Sequence, residues 1–178
     1  MPNFYLDIET TGLDPKTSKI VTIQYQELER NTGRANGKLV ILKEWKSSEK
    51  GIVKKFVEES GVRAAYPFAF IPVGYNLGFE HNFLKAKAEK YKLQALDILS
   101  RPFIDLRSIG ILMNNGEFKG SGLDKISNKP SNGSKIPEWY ENEEYDKIVD
   151  YIEREAEAFI ELNAKLYQEL PKLREKLL

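Results

Sequence analysis

The 178-residue chain has no cysteine, which excludes disulfides, thiolate zinc centres and cysteine nucleophiles. It also lacks any apolar run near the ~20 residues of a membrane span. Its start, Met1-Pro2-Asn3, has no basic region ahead of an apolar stretch, so a soluble, untargeted, cytoplasmic protein without a membrane partner is expected. Net charge is missing too: 27 Lys and Arg balance 27 Asp and Glu, which argues against a surface coated in positive charge. Only two Met and one His occur, and scarce Met with abundant Lys and Glu is a weak thermophile signature. No internal repeat is present, and Gly120-Ser121-Gly122 lacks the third glycine and the preceding strand of a dinucleotide fingerprint.

What is present suits one well-buried core, with 41% hydrophobic and 30% charged residues, and a single domain over 1–178 is expected. Nothing in the pattern requires or forbids a homo-oligomer. The zero net charge conceals an asymmetry. From Lys85 to Lys135 ten bases face five acids, whereas from Glu138 to Glu161 ten acids face two bases. A basic middle would track a phosphate backbone while acids collect metal; two solvated faces of opposite sign explain the same charges.

Residues 3–9 read as a buried strand, followed by a sharp turn at Thr11-Gly12-Leu13-Asp14-Pro15. Alternation predicts a second strand over 20–25 and a third over 39–45, joined by short polar connections into an antiparallel meander. Ser47 or Ser48 caps a helix with an Ile52, Val53, Phe56, Val57 stripe that ends near Ser60-Gly61. A fourth strand spans 69–76, where Pro72 argues against a full ladder. A helix over 79–93 follows, with lysines on much of its outer surface. A short strand over 103–106 and a helix over 109–113 lead into a Gly-, Ser-, Asn- and Pro-rich stretch from 114 to 137, long enough to be functional or mobile. The last third is helical through Ile148, Ile152, Ala156, Phe159 and Ile160, with Pro171 interrupting it near the end. The expected fold class is α/β, a mixed sheet with helices on its faces.

The chemistry starts at Asp7 and Glu9. Alternate positions on one strand put both carboxylates on the same face. Paired buried acids cost several kcal/mol unless a cation joins them, and hard oxygen ligands are what Mg²⁺ or Mn²⁺ takes. Two further acids stand where they could join. Glu80 follows a strand end and enters a helix; it reads as a third ligand or as an acid complementing the helix dipole, worth about 0.3–1 kcal/mol. Glu155 shares a helix face with Tyr151 at the border of the apolar stripe; it reads as a ligand or as a surface acid paired with a lysine.

The set Asp7-Ile8-Glu9-Thr10-Thr11-Gly12-Leu13, Gly74-Tyr75-Asn76-Leu77-Gly78-Phe79-Glu80 and Tyr151-Ile152-Glu153-Arg154-Glu155 resembles the three motifs of the DEDD superfamily of ribonuclease H-like 3′ to 5′ exonucleases. The resemblance runs over residues 3–167 in the family's motif order. Tyr151, four residues before the last acid, matches the tyrosine (DEDDy) branch, and His81 is left as a surface or packing residue beside Glu80. The resemblance implies a five-stranded sheet, three antiparallel strands and then parallel ones, and hydrolysis of single-stranded nucleic acid, DNA favoured over RNA, from its 3′ end. It implies two Mg²⁺ or Mn²⁺ ions held by Asp7, Glu9, Glu80 and Glu155, with Tyr151 orienting the attacking water. Thr10, Leu13, Asn76 and Phe79 would bind the terminal nucleotide, Leu13 against a base and Phe79 as a wedge behind Glu80; core packing is the other reading of Leu13. Tyr75, Phe118, Trp139 and Tyr140 are candidate stacking platforms, and Lys119, Lys125, Lys129 and Lys135 a candidate basic groove.

The chain departs from the family pattern at two positions, where Glu80 and Glu155 replace aspartates. The longer arms imply altered metal preference, weakened activity, or a nucleic-acid-binding module that has lost hydrolysis. Asp146 and Asp150 are nearby acids, but the tyrosine spacing selects Glu155.

Overall fold

The computed structural model describes residues 2–177. Five strands form one sheet in the order β3-β2-β1-β4-β5. β1 (Asn3–Thr10), β2 (Ile20–Leu28) and β3 (Val40–Lys43) are antiparallel neighbours, and β4 (Ile71–Gly74) and β5 (Ile104–Asp105) add on parallel to β1. This is the mixed sheet expected from sequence. Its third strand is shorter than expected because Glu44–Lys46 turn into one 3₁₀ turn, on which Trp45 stacks against Tyr145 at 4.5 Å.

β1 divides the interior into two cores. Its even side chains Leu6 and Ile8 join Ile23, Phe56, Phe83 and Leu84 under α1 (Glu49–Glu59) and α2 (Gly78–Lys90). Its odd side chain Tyr5 packs with Phe159 and Leu162 of α6 (Tyr145–Leu177) at a ring separation of 4.8 Å. The alternation that makes Leu6 and Ile8 core therefore aims Asp7 and Glu9 at α6. α1 begins as the sequence indicates, with Ser48 Oγ accepting the Gly51 N–H at 3.0 Å.

Pro72 interrupts the ladder as expected, whereas two other expectations need correction. Pro72 sits in β4, an interior strand between β1 and β5, and pairs with Phe4. It is tolerated because the Ile71 N–H is turned towards β1, so the Pro72 nitrogen faces the β5 side before β5 begins pairing at Val73. Lys87 is not on the α2 surface: it is buried, bonded to the Ser18 carbonyl and to Glu49 at 3.3 Å. Pro171 does not interrupt α6, which runs 33 residues through it. The carbonyl left without its helical donor is that of half-buried Tyr167, next to a stretch, 168–177, that is exposed throughout and open to water. Among the described residues no helix is long and apolar enough to cross a membrane.

α3 (Arg107–Met113), α4 (Leu123–Ile126) and α5 (Ile136–Glu141) complete the chain. The stretch from 114 to 137 is thus partly helical, and it closes one side of the acidic end of β1. At Gly133 a Cβ would overlap the Tyr151 hydroxyl, so glycine lets this segment lie directly against α6.

Candidate active site

Asp7 and Glu9 of β1 meet Glu155 of α6, and one carboxylate oxygen from each lies within 4.8 Å of the others. The α6 helix delivers Glu155 because the same face carries Ile148, Ile152 and Phe159 into the core. A bulge between Glu9 and Thr10, where the pairing skips Val21, bends the strand at the cluster. Glu80, at the first turn of α2, lines the same cavity of about 280 Å³ together with Asn76, Phe79, Arg107 and Lys129. It lies outside the three-acid cluster, at its Asp7 side.

Donors hold this arrangement unevenly. Asp7 Oδ2 accepts from Gln24 Nε2 at 2.9 Å and from the Tyr5 hydroxyl at 3.2 Å, and Gln24 is itself fixed by Thr22 at 3.0 Å. Lys129 pairs with Glu155 Oε1. Glu80 Oε2 and Glu155 Oε2 are buried with no hydrogen-bond partner. An unsatisfied buried carboxylate oxygen costs free energy unless a ligand completes it.

The titration behaviour follows. Burial, then the charges of Glu155 and Asp7, pushes the Glu9 carboxyl well up, and Lys129 offsets part of that. Burial and Asp7 push Glu80 well up. Burial and Asp7 raise Glu155 to about 7 against the pull of Lys129. The Tyr151 hydroxyl is raised by burial and by Glu155 and Glu9, so it stays protonated. Burial works against the charge on Lys129, but Glu155, Asp7 and Glu9 outweigh it and hold its pKa above the ordinary value. Acids that resist ionising together beside open lone pairs are the donor set of a hard divalent cation.

The remaining predicted residues divide. Tyr151 is buried against Trp139 and borders an adjoining cavity of about 300 Å³ with Glu9 and Lys129. Leu13 is 85% exposed and is not core. Thr10 Oγ1 donates to the Gly12 carbonyl at 2.6 Å, fixing the turn that carries Leu13. Asn76 adopts φ +72°, and Phe79 is half-buried on Phe83 at 4.8 Å. Asp150 is exposed and paired with Arg154 at 2.6 Å, and Asp146 is exposed, so neither competes with Glu155. His81 sits 3.6 Å from Asp97.

Of the stacking candidates, Trp139 is buried core and Tyr140 bonds Glu44 and Lys19; only Phe118, at 68% exposure, stands free. Tyr75 donates to the Ser121 carbonyl at the cavity wall. The groove lysines also separate, since Lys129 points into the acids while Lys119, Lys125 and Lys135 are exposed.

Sequence reasoning missed three supports. Gln24 reads as an outward strand residue, yet its register opposite Asp7 makes it the acid's partner, and that register was the available signal. Asp105 accepts from the Asn76 N–H at 2.8 Å and the Leu77 N–H at 3.0 Å, setting the entry of α2 and hence Glu80. The inward aim of Lys129 had no signal in spacing.

Comparison with known proteins matches most of the chain to a described family. A family model described as RNase_H superfamily matches residues 4–167. An uncharacterized protein of Methanocaldococcus jannaschii is 28% identical over 183 residues, covering 91% of this chain and 93% of that protein. The zinc-bound E. coli ExoI–ssDNA complex superposes with a TM-score of 0.67 at 10% identity, over 99% of this chain and 42% of that one. An ExoI/SSB-Ct complex gives 0.65 at 10% identity, over 99% and 43%. The chain therefore spans about two fifths of the ExoI chains whose fold it shares.

Proposed function

The chain belongs to the RNase H superfamily, and within it we propose a metal-dependent 3′ to 5′ exonuclease of the DEDDy type that hydrolyses single-stranded nucleic acid, DNA before RNA. The observation that carries this reading is the convergence of Asp7, Glu9 and Glu155 within 4.8 Å beside buried carboxylate oxygens that have no partner. The fold shared with an ExoI–ssDNA complex supports the substrate class.

Asp7, Glu9 and Glu155 would hold the divalent ions, with Glu80 completing the set from the Asp7 side. Bound Mg²⁺ or Mn²⁺ would supply Lewis acidity to the phosphate and lower the pKa of the attacking water. Arg107, on the cavity wall, is placed for the phosphate charge. Tyr151 acts as a hydrogen-bond donor or acceptor to water and not as a base, because its hydroxyl stays protonated. Leu13 would pack on the terminal base from a turn that Thr10 holds, and Asn76 and Phe79 line the nucleotide side of Glu80. Glu80 and Glu155 have longer arms than aspartate, which favours Mn²⁺ over the stricter octahedron of Mg²⁺.

A test uses oligonucleotides labelled at the 3′ or the 5′ end with Mg²⁺, Mn²⁺ or EDTA. Shortening from the 3′ end with metal alone is expected; no metal-dependent shortening would sink the reading. A second reading, a binding module without hydrolysis, draws support from Lys129 seated on Glu155 and from Glu80 standing outside the three-acid cluster. It predicts retained oligonucleotide binding with no cleavage that Asp7→Ala can abolish.

A further inference from the structure

Of the two cations that line the acidic cavity, Lys129 and Arg107, Lys129 is the one paired with an acid of the cluster. Lys129 lies on the segment after α4, where its N–H donates to Ser127 Oγ at 3.2 Å and Pro130 follows. Backbone is therefore constrained on both sides of it. Its side chain is 24% exposed, crosses the Tyr151 ring at 5.8 Å, and ends on Glu155 Oε1. The other Glu155 oxygen has no partner.

The charges around it are lopsided. Asp7, Glu9 and Glu155 bring three carboxylates into one cluster, and a lysine answers with a single charge. A divalent cation matches three carboxylates better and takes oxygen ligands in a fixed shell, which an ammonium cannot do. The two compete for the same Glu155 lone pairs. Lys129 also borders the adjoining cavity of about 300 Å³, beside Ser131 and Ser134. Its four-carbon stem can reach that space by rotamer change while the backbone stays in place.

We propose that Lys129 is the resident counter-cation of the site, neutralising Glu155 until a divalent ion displaces it into the adjoining cavity. The inference rests on the metal-dependent reading above and adds that metal entry and Lys129 withdrawal are one exchange. Before metal arrives, Lys129 limits the cost of burying paired acids; afterwards its departure is part of the cost of binding metal. Apparent metal affinity is then set partly by a residue that is not a ligand.

Two experiments on the full chain test this. In wild-type protein, an amine-reactive acylating reagent with peptide mapping reads Lys129 directly: labelling should rise severalfold when Mn²⁺ replaces EDTA, while exposed Lys119 serves as an unchanged reference. Mn²⁺ that leaves Lys129 labelling unchanged or lowers it overturns the proposal. Isothermal titration with Mn²⁺ compares wild type, Lys129→Met and Lys129→Arg. Lys129→Met should bind Mn²⁺ at least roughly tenfold tighter, melt lower than wild type in EDTA and recover more on adding metal, while Lys129→Arg should stay near wild type. Equal or weaker Mn²⁺ binding by Lys129→Met overturns it. Wild-type protein that neither binds Mn²⁺ nor gains thermal stability from it removes the metal-dependent reading itself, a result distinct from metal binding that ignores Lys129.

Discussion

Glu49 and Glu155 are the same residue type and are almost equally shielded from solvent, 4% and 5% exposed, though Glu155 lies deeper among protein atoms, and their carboxyl pKa values shift in opposite directions. Glu49, at the start of α1, accepts from the Ile20 N–H at 2.8 Å and the Tyr91 hydroxyl and pairs with Lys87 at 3.3 Å and Lys90 at 3.4 Å. Burial pushes its carboxyl up, but Tyr91, Ile20 and Lys87 together hold it below the usual value. Glu155 has Lys129 as its ion-pair partner, an oxygen without a hydrogen-bond partner and Asp7 nearby, and it is raised to about 7. The contrast separates two settings of a buried carboxylate. One that ties helices to a sheet is saturated with donors, and the proposed metal ligand is left with open lone pairs.

The largest expected effect breaks the saturated side. Glu49→Ala leaves the Ile20 N–H without its acceptor and the buried Lys87 charge without its counter-ion, and we expect a loss of about 3–5 kcal/mol in denaturant unfolding. On the open side, Asp7→Ala should lower metal-dependent cleavage by about a hundredfold or more, read on labelled oligonucleotide. Its unfolding free energy in EDTA should fall far less than that of Glu49→Ala, because the variant also removes a like charge beside Glu9, Glu80 and Glu155.

Acid titration sharpens the same contrast in metal-free protein. The folded Glu155 carboxyl, at about 7, lies above its unfolded value near 4.5, so the folded state holds an extra proton between them. Its contribution to stability is therefore lost as pH rises through that window, and Glu155→Gln should flatten the slope. Glu49 works the other way: its folded value is lowered, so its contribution is present above about 4.5 and lost as pH falls below that. Denaturant unfolding in EDTA from about pH 2.5 to 8 separates Glu155→Gln from Glu49→Ala. The smallest effect on stability is expected at Leu13, which is 85% exposed. Leu13→Ala should change unfolding free energy by no more than about 0.5 kcal/mol while raising KM for oligonucleotide severalfold.

The comparison also explains which parts of the molecule were legible beforehand. Strand period placed Asp7 and Glu9 on one face, and helical period put Glu155 at the border of the core-facing stripe, because both follow from repeats of apolar neighbours such as Leu6, Ile8, Ile152 and Phe159; that Glu155 joins the other two acids was legible only from the resemblance of the motifs. Element order and the mixed sheet followed from the same periods. Depth was less legible. Thr22 and Gln24 look like the polar half of an alternating strand, yet both are fully buried because α6 covers that face and Asp7 needs the amide. Lys87 and Lys129 look like surface lysines; each instead reaches an acid that is distant in sequence, Glu49 and Glu155. Pro72 was legible as a break in the ladder, and β5 indeed begins pairing with β4 only at Val73. Local pattern reports which way a side chain points, whereas the partner it finds is fixed by packing between separate elements.

The central claim, that the open carboxylates form a metal site, is met most directly by a crystal structure of the protein with Mn²⁺, read by anomalous scattering. Manganese is expected within about 2.0–2.3 Å of oxygens from Asp7, Glu9 and Glu155, with Lys129 withdrawn from Glu155. Saturating Mn²⁺ that leaves this cluster without an anomalous peak, and the Lys129–Glu155 pair intact, would contradict it.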